Sequence, residues 1–393
     1  MADDAVVIVN GARTPMGGFQ GSLSGVSAPE LGAAAIREAI QRAGLKADDI
    51  EDVIMGCVLP AGLKQGPARQ AMRLAGLPDS TGAVTINKLC GSGMRAAMFA
   101  HDQIKAGTSE IMVAGGMESM TNAPYVLTKA RGGIRMGHDK VWDHMFLDGL
   151  EDAETGRLMG SFAQEVADKR GITREDMDAY AIESLKRAQA AINNGWFKDE
   201  IVPVTVQTRK GEVVVEIDEQ PGNANIDKIP TLKPAFAKDG TVTAANASSI
   251  SDGASALVLT RESTAKARGL QPLARIVAHS TNSQHPSEFT IAPCGAISKL
   301  LAKTGWKVED VDLWEINEAF AMVTMMPMKE FNIPHDKVNI HGGACALGHP
   351  VGSTGSRIIL TLIHALKRTG GKRGVATLCI GGGEAVGVAI ELV

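Results

Sequence analysis

The sequence predicts an α/β fold built around a duplicated unit. Short apolar runs alternate with helix-length amphipathic patterns, the rhythm of a parallel sheet covered by helices. Gly occurs 44 times while aromatics make up only 4%, so the backbone makes many tight approaches and the core is built from Ala, Val, Ile, Leu and Met. Segments of the first third of the chain also return, in order, in the last third. The chain has 393 residues, enough at roughly 150 per domain for two or three domains or one large fused architecture.

In order, Val6–Val9 reads as a strand, Ala28–Arg42 as a helix stopped near Gly44, and Val53–Cys57 as a second strand. Val84–Ile86 leads through a Gly-rich turn into the helical spacing Met94, Ala97, Met98, His101, Ile104, which Gly107 ends. Ile111–Ala114 is a strand closed by Gly115-Gly116. From about Thr121 to Asn246 the rhythm breaks. This stretch contains one amphipathic helix, with Thr173 as N-cap, Asp176 three residues on and Gly195 at its end. A polar strand-like stretch (Val202–Ile217) and the turn Gln220-Pro221-Gly222-Asn223 follow, so the segment reads as an insertion. Val258-Leu259 returns to the first sheet. The repeat has a constant offset of 261 residues: Gly44–Glu51 resembles Gly305–Asp312, and Gly91-Ser92 resembles Gly352-Ser353. Gly115–Glu118 is matched to Gly381–Glu384 after a small indel. The organisation expected is a first half over 1–120, an insertion over 121–249, a return over 250–270 and a second half over 271–393.

Forty Lys+Arg against 44 Asp+Glu give a net charge of −4, which offers no basic excess for a nucleic-acid backbone. No apolar run approaches the ~18 residues of a membrane span. The start, Met1-Ala2-Asp3-Asp4, lacks the basic region of a secretory signal and the Arg-rich look of a transit peptide. Five cysteines argue for a reducing compartment rather than a disulfide framework. The expectation is a cytoplasmic protein.

Cys90 lies between a strand and a helix, flanked by glycines that permit a sharp turn. A small buried hydrophobe is one reading of it. The other is a nucleophile whose pKa the helix N-terminus lowers. Gly91-x-Gly93-x-x-Ala96 also fits a dinucleotide fingerprint, but in a later βα unit and with only an approximate acidic partner in Glu118. His341, Cys345 and His349 have a spacing that would suit metal on a helix, which Gly342, Gly343, Gly348 and Pro350 argue against. The repeat places His349 beside the position of Cys90, facing the same cleft; a satisfied core histidine is the alternative. Cys379 ends a buried strand before Gly381-Gly382-Gly383, at a sheet edge where α/β ligand sites form. Asn317 could hold a water or a carbonyl, or cap the next helix. Cys57, Cys294 and Cys345 read as structural, and Lys129–Arg135 as a solvated face or a contact to CoA phosphates or another subunit.

Asn87–Ala96, Asn317-Glu318-Ala319-Phe320, Gly348-His349-Pro350 and Cys379–Gly383 together resemble the signature blocks of the thiolase family, and Gly11–Pro15 and Gly240–Ala244 also match. The resemblance covers nearly the whole chain. It implies a five-layered α-β-α-β-α fold of two similar halves with an inserted loop domain, and a homo-oligomer, usually a tetramer. It also implies an acyltransferase that reversibly joins two acetyl-CoA into acetoacetyl-CoA and CoA, acting on acyl-CoA substrates without metal or redox cofactor. In that reading Cys90 attacks the thioester and His349 takes its proton, later holding the thioester oxygen with an Asn317-bound water. Cys379 removes the α-proton of the second acetyl-CoA, and the N–H groups of Cys90 and Gly381 form the other oxyanion hole. Ser248 touches the pantetheine arm, and Met159, Phe236 and Phe320 are pocket walls.

There are departures: Leu158 stands where many acetoacetyl-forming members have His, and Gln220–Asn223 lacks a basic residue often found near the CoA phosphate. Tyr125–Gly137 with Asp148-Gly149-Leu150 is similar to the acetoacetyl-forming branch. A broader degradative 3-ketoacyl-CoA thiolase is the nearest rival; a decarboxylating condensing enzyme and a non-catalytic acyl-CoA binder are more distant ones.

Overall fold

The computed structural model describes residues 4–393; the start of the acidic Met1–Asp4 stretch lies outside them. The first half runs β1 (Val6–Arg13), α1 (Ala28–Arg42), β2 (Asp52–Gly56), α2 (Pro67–Leu74), β3 (Gly82–Ile86), α3 (Ser92–Ala106) and β4 (Ile111–Ser119). The inserted segment carries two longer helices, α4 (Met159–Arg170) and α5 (Arg174–Asn193), and a hairpin of Val204–Thr208 with Gly211–Val215. The chain returns as β5 (Ser251–Arg261). The second half runs β6 (Ala274–Ser283), α6 (Ala292–Thr304), β7 (Leu313–Ile316), α7 (Ala321–Phe331), α8 (Thr354–Thr369), β8 (Arg373–Ile380) and β9 (Glu384–Leu392).

Local chemistry explains the sharper boundaries. Glu30 accepts the Ser27 N–H at 2.8 Å at the head of α1, and Thr173 Oγ1 accepts the Asp176 N–H at 3.1 Å at the head of α5. Gly107 closes α3 at φ +77°, a conformation that costs glycine little.

The main strands form one continuous sheet in the order β7-β8-β9-β6-β1-β5-β4-β2-β3. It is mixed, which corrects the parallel sheet expected from the rhythm. β4-β2-β3 and β7-β8 pair in parallel, whereas β1-β5, β4-β5, β8-β9, β6-β9 and β1-β6 are antiparallel. The halves join through Val7 opposite Arg275 and Ile8 opposite Ala274. One buried cluster packs α1 and α2 on the outer face of the first half. Another packs α3 and α8 between the two halves, and a third covers the second half with α6. These are the five layers of the α-β-α-β-α arrangement.

The duplication extends to detail. Gly44 and Gly305 both stand at φ +71°, and the Lys46 and Lys307 N–H groups donate to Asp49 and Asp310, each at 2.8 Å. The third sequence match is corrected. Met112 and Gly374 hold equivalent places beside β2 and β7, so Gly115–Glu118 lies inside β4 while Gly381–Gly383 forms the turn after β8. The glycines of β4 do not close it, as expected, but lie mid-strand: a Cβ on Gly116 would strike the Gly352 carbonyl. Gln220–Asn223 is also not a simple turn but part of a short helix, Glu219–Asn223. Arg13 ties the insertion to β1, its Nε 2.6 Å from Glu200 and its Nη1 2.7 Å from Asp218, all three fully buried.

Candidate active site

The turn from β3 into α3 is tightly pinned. Asn87 Oδ1 accepts the Leu89 N–H at 2.9 Å, and Ser92 Oγ accepts the Lys88 N–H at 2.8 Å while donating to the Leu89 carbonyl at 2.7 Å. Leu89 is held at φ +46°, a left-handed conformation that is costly for a side chain of this kind. Cys90 follows, just before the Gly91 cap of α3. The expectation of a lowered thiol pKa is overturned. Burial pushes the Cys90 thiol up to about 11, and the Gly381 and Cys90 N–H groups pull it down by less. Its residue surface is only half-buried, so desolvation acts at the sulfur rather than on the whole residue.

The turn after β8 supplies the opposing wall. The Gly381 N–H faces the Cys90 sulfur. Cys379, two residues earlier, is wholly buried, and burial first, then its neighbour Cys90, hold its thiol well above the ordinary range. The two sulfurs of the sequence reading thus lie within electrostatic reach of each other.

His349 follows Gly348, which stands at φ +99° with Ser251 where a Cβ would go. The His349 N–H donates to the Ser249 carbonyl and to Ser251 Oγ, both at 3.2 Å. Its Nδ1 lies 2.7 Å from Thr354 Oγ1, and its Nε2 has no hydrogen-bond partner among the described residues. Burial, with Arg357 second, lowers its pKa to about 3, so the ring is neutral.

Asn317 follows β7, its N–H donating to the Thr377 carbonyl at 3.0 Å. It is not the helix cap, because α7 begins at Ala321 after Phe320. Its side-chain Oδ1 and Nδ2 are buried without a partner among the described residues. Such groups are costly unless something polar meets them. Glu318 beside it is saturated, with Tyr180 at 2.9 Å, Ser184 at 2.7 Å and Asn339 at 2.8 Å.

Cys90, His349, Gly381, Ser248, Met159, Phe236 and Phe320 line one cavity of about 360 Å³. Cys379 and Asn317 are not on its lining; Cys379 is packed with Phe320 and Phe289 in the adjoining apolar cluster. Leu158 lines the cavity too. Sequence reasoning missed Met120, Phe146, Phe289 and Val351 on the wall, since isolated apolar residues carry no signal that separates a pocket wall from a core. A larger open groove of about 890 Å³, beside Tyr180, Met325 and His335, contains none of the candidate catalytic or binding residues. His341 and Cys345 go elsewhere: His341 Nε2 accepts from Arg368 at 2.8 Å, and Cys345 Sγ lies 3.6 Å from the Glu318 carbonyl.

Family models for the thiolase N-terminal and C-terminal domains match residues 6–263 and 270–392. The chain belongs to the thiolase family. Acetyl-CoA acetyltransferase of Pseudomonas aeruginosa is 49% identical over 389 residues, covering 98% of each chain. The cytosolic acetyl-CoA acetyltransferase of Mus musculus is 48% identical over 391 residues, covering 99% of this thiolase and 98% of the mouse protein. The crystal structure of the Bacillus anthracis acetyl-CoA acetyltransferase superposes with a TM-score of 0.97 at 43% identity, covering 100% of both chains.

Proposed function

We propose that this thiolase catalyses the reversible condensation of two acetyl-CoA into acetoacetyl-CoA and CoA through an acetyl-Cys90 intermediate. The convergence of Cys90, the Gly381 N–H and the neutral His349 on one apolar cavity, with Cys379 buried behind it and within electrostatic reach of Cys90, carries the reading, together with full-length relatives that bear the corresponding name.

His349 Nε2 takes the Cys90 proton as the sulfur attacks the thioester and keeps it, while CoA leaves as its thiolate, which then takes the Cys379 proton. The N–H groups of Cys90 and Gly381 hold the acyl oxygen; preorganised donors of this kind are worth roughly 3–4 kcal/mol each. In the second half-reaction Cys379, now the thiolate, removes the α-proton of a second acetyl-CoA. The thioester oxygen then meets the Nε2–H of the protonated His349 and a water on Asn317, groups that have no protein partner in the resting structure among the described residues. As the new carbon–carbon bond forms, Cys90 leaves the acetyl carbon and takes that proton back. Splitting the transfer through a thioester enzyme predicts ping-pong kinetics. Ser248 contacts the pantetheine arm, and Met159, Phe236 and Phe320 enclose the acyl end. These steps need no metal or redox group.

We further propose a cytoplasmic homo-oligomer, a tetramer in preference to a dimer. The mouse relative's name supports the compartment; the exposed apolar Tyr125, Leu127, Met136 and Val141 in the inserted segment support assembly. Among the described residues no helix is long and apolar enough to cross a membrane.

The deciding experiment incubates the protein with acetyl-CoA and maps the acetyl group by mass spectrometry, then compares kcat/KM on acetoacetyl-CoA and a C8 homologue. Acetylation of Cys90 and preference for acetoacetyl-CoA are expected. A clear C8 preference would instead identify a broad-range degradative thiolase.

A further inference from the structure

We propose that Thr354 is a positioning residue that sets the tautomer and aim of His349, so that Nε2 presents its lone pair to Cys90; this rests on the acetyl-Cys90 reading above. A neutral imidazole has one proton and two nitrogens. It can serve as a base toward Cys90 only when that proton is on Nδ1, and which nitrogen carries it is decided by what the other ring nitrogen meets.

The surroundings of Nδ1 are specific. Thr354 Oγ1 lies 2.7 Å from it, and the same Oγ1 donates to the Pro350 carbonyl at 3.1 Å. A carbonyl oxygen only accepts, so this bond uses the hydroxyl's single proton. What the hydroxyl then offers Nδ1 is a lone pair, which calls for Nδ1–H. The Pro350 carbonyl also receives the Ser353 and Thr354 N–H groups at 2.9 and 3.0 Å. Thr354 is the first residue of α8, wholly buried, and Ser353 and Ser356 alongside are pinned by Ser255 Oγ at 2.9 and 2.6 Å. The hydroxyl is thus held on a fixed backbone, with no solvent to offer Nδ1 another partner.

The choice of a hydroxyl matters. A carboxylate at this place would stabilise the imidazolium and keep the proton taken from Cys90. A hydroxyl orients the ring without adding charge, so His349 rests neutral and returns that proton readily to Cys90 when the acetyl group leaves the sulfur. The repeat sharpens the assignment: the place of Thr354 in the second half is taken in the first by Gly93, where a Cβ would stand 2.7 Å from Ser356 Oγ. The hydroxyl exists only on the half that holds the base.

The test compares Thr354→Ser, which keeps the hydroxyl, with Thr354→Val, which keeps the shape and loses it; Thr354→Ala removes it with no steric demand should the Val variant fail to fold. The rate of Cys90 acetylation by acetyl-CoA is read by quenched-flow mass spectrometry, with KM taken from turnover. Thr354→Val, or Ala, is expected to acetylate roughly 10- to 100-fold more slowly at a KM within about twofold of wild type, and Thr354→Ser within about threefold of the wild-type rate. Wild-type acetylation with an unslowed hydroxyl-free variant would overturn the role of Thr354 alone. Equal slowing in Ser and Val would overturn it too, by making the effect steric. Absence of acetyl-Cys90 in wild type would overturn the functional reading beneath it.

Discussion

Cys90 acts on the thiol of Cys379: Cys379 is fully buried, and after burial the charge of Cys90 is what most disfavours its ionisation. That influence suits a reaction in which the thiols act in turn. While Cys90 is acylated it carries no charge, and Cys379 is then freest to accept an α-proton.

Substitution should therefore separate the two half-reactions. Cys379→Ser is expected to form acetyl-enzyme at close to the wild-type rate yet condense about 10²-fold or more slowly, the span typical of a lost acid/base. Cys90→Ala should do neither. Acetylation followed by mass spectrometry and condensation followed by acetoacetyl-CoA absorbance check the pair. Equal loss of acetylation in both would contradict the assigned roles.

Asn317 carries a second prediction. Its amide has no protein partner among the described residues although it is 99% shielded from solvent, with 1% exposed. If it holds the water that meets the thioester oxygen, Asn317→Ala should slow condensation by about 10²-fold, the effect of losing one oxyanion-hole donor elsewhere. The melting temperature should stay near wild type, because no internal hydrogen bond is broken. A large drop in stability with condensation intact would make Asn317 structural.

The acetylation step should be insensitive to pH around neutrality. A free histidine loses its base form below about pH 6.5, but burial and then Arg357 lower His349 to about 3, so its neutral form persists as pH falls through that range. At the other end burial raises Cys90 to about 11, keeping the resting pair as thiol and imidazole rather than an ion pair. Rapid-quench acetylation rates are expected to be flat from about pH 5.5 to about pH 9. A tenfold decline per unit below pH 6.5 would show that His349 titrates as an exposed residue does.

What the sequence disclosed depended on how local each cause is. The bounds of α1 were readable because Ser27, Pro29, Glu30 and Gly44 act within a turn of their own positions. The antiparallel direction of β5 was not, since a strand buried on both faces has the same apolar pattern either way. Gly115 and Gly116 looked like a stop, yet they are spaces cleared for the Ser255 and Gly352 carbonyls, contacts made across long stretches of chain. The motifs drew attention to Cys90, His349 and Cys379. The sign of the Cys90 shift escaped because the helix terminus is visible in sequence and the desolvating neighbours are not. Thr354 was silent for a similar reason: its meaning comes from a ring folded back onto it.

Gly160 tests the shape of the pocket wall. It is the second residue of α4, and a Cβ there would run into the ring of Phe236, which lines the cavity and meets Phe320 edge-on at a centroid distance of 6.4 Å. Phe320 in turn meets Phe289 at 6.3 Å, so aromatic neighbours flank the displaced ring on that side and the cavity is the open space it can turn into. Gly160→Ala is expected to raise KM for acetyl-CoA by about tenfold or more and to cost roughly 1–3 kcal/mol of stability, the usual effect of overpacking. Steady-state kinetics with thermal melts check both. An unchanged KM would mean that Phe236 does not bound the substrate, and the acyl end of the pocket would have to be sought on the side of Met120 and Phe146.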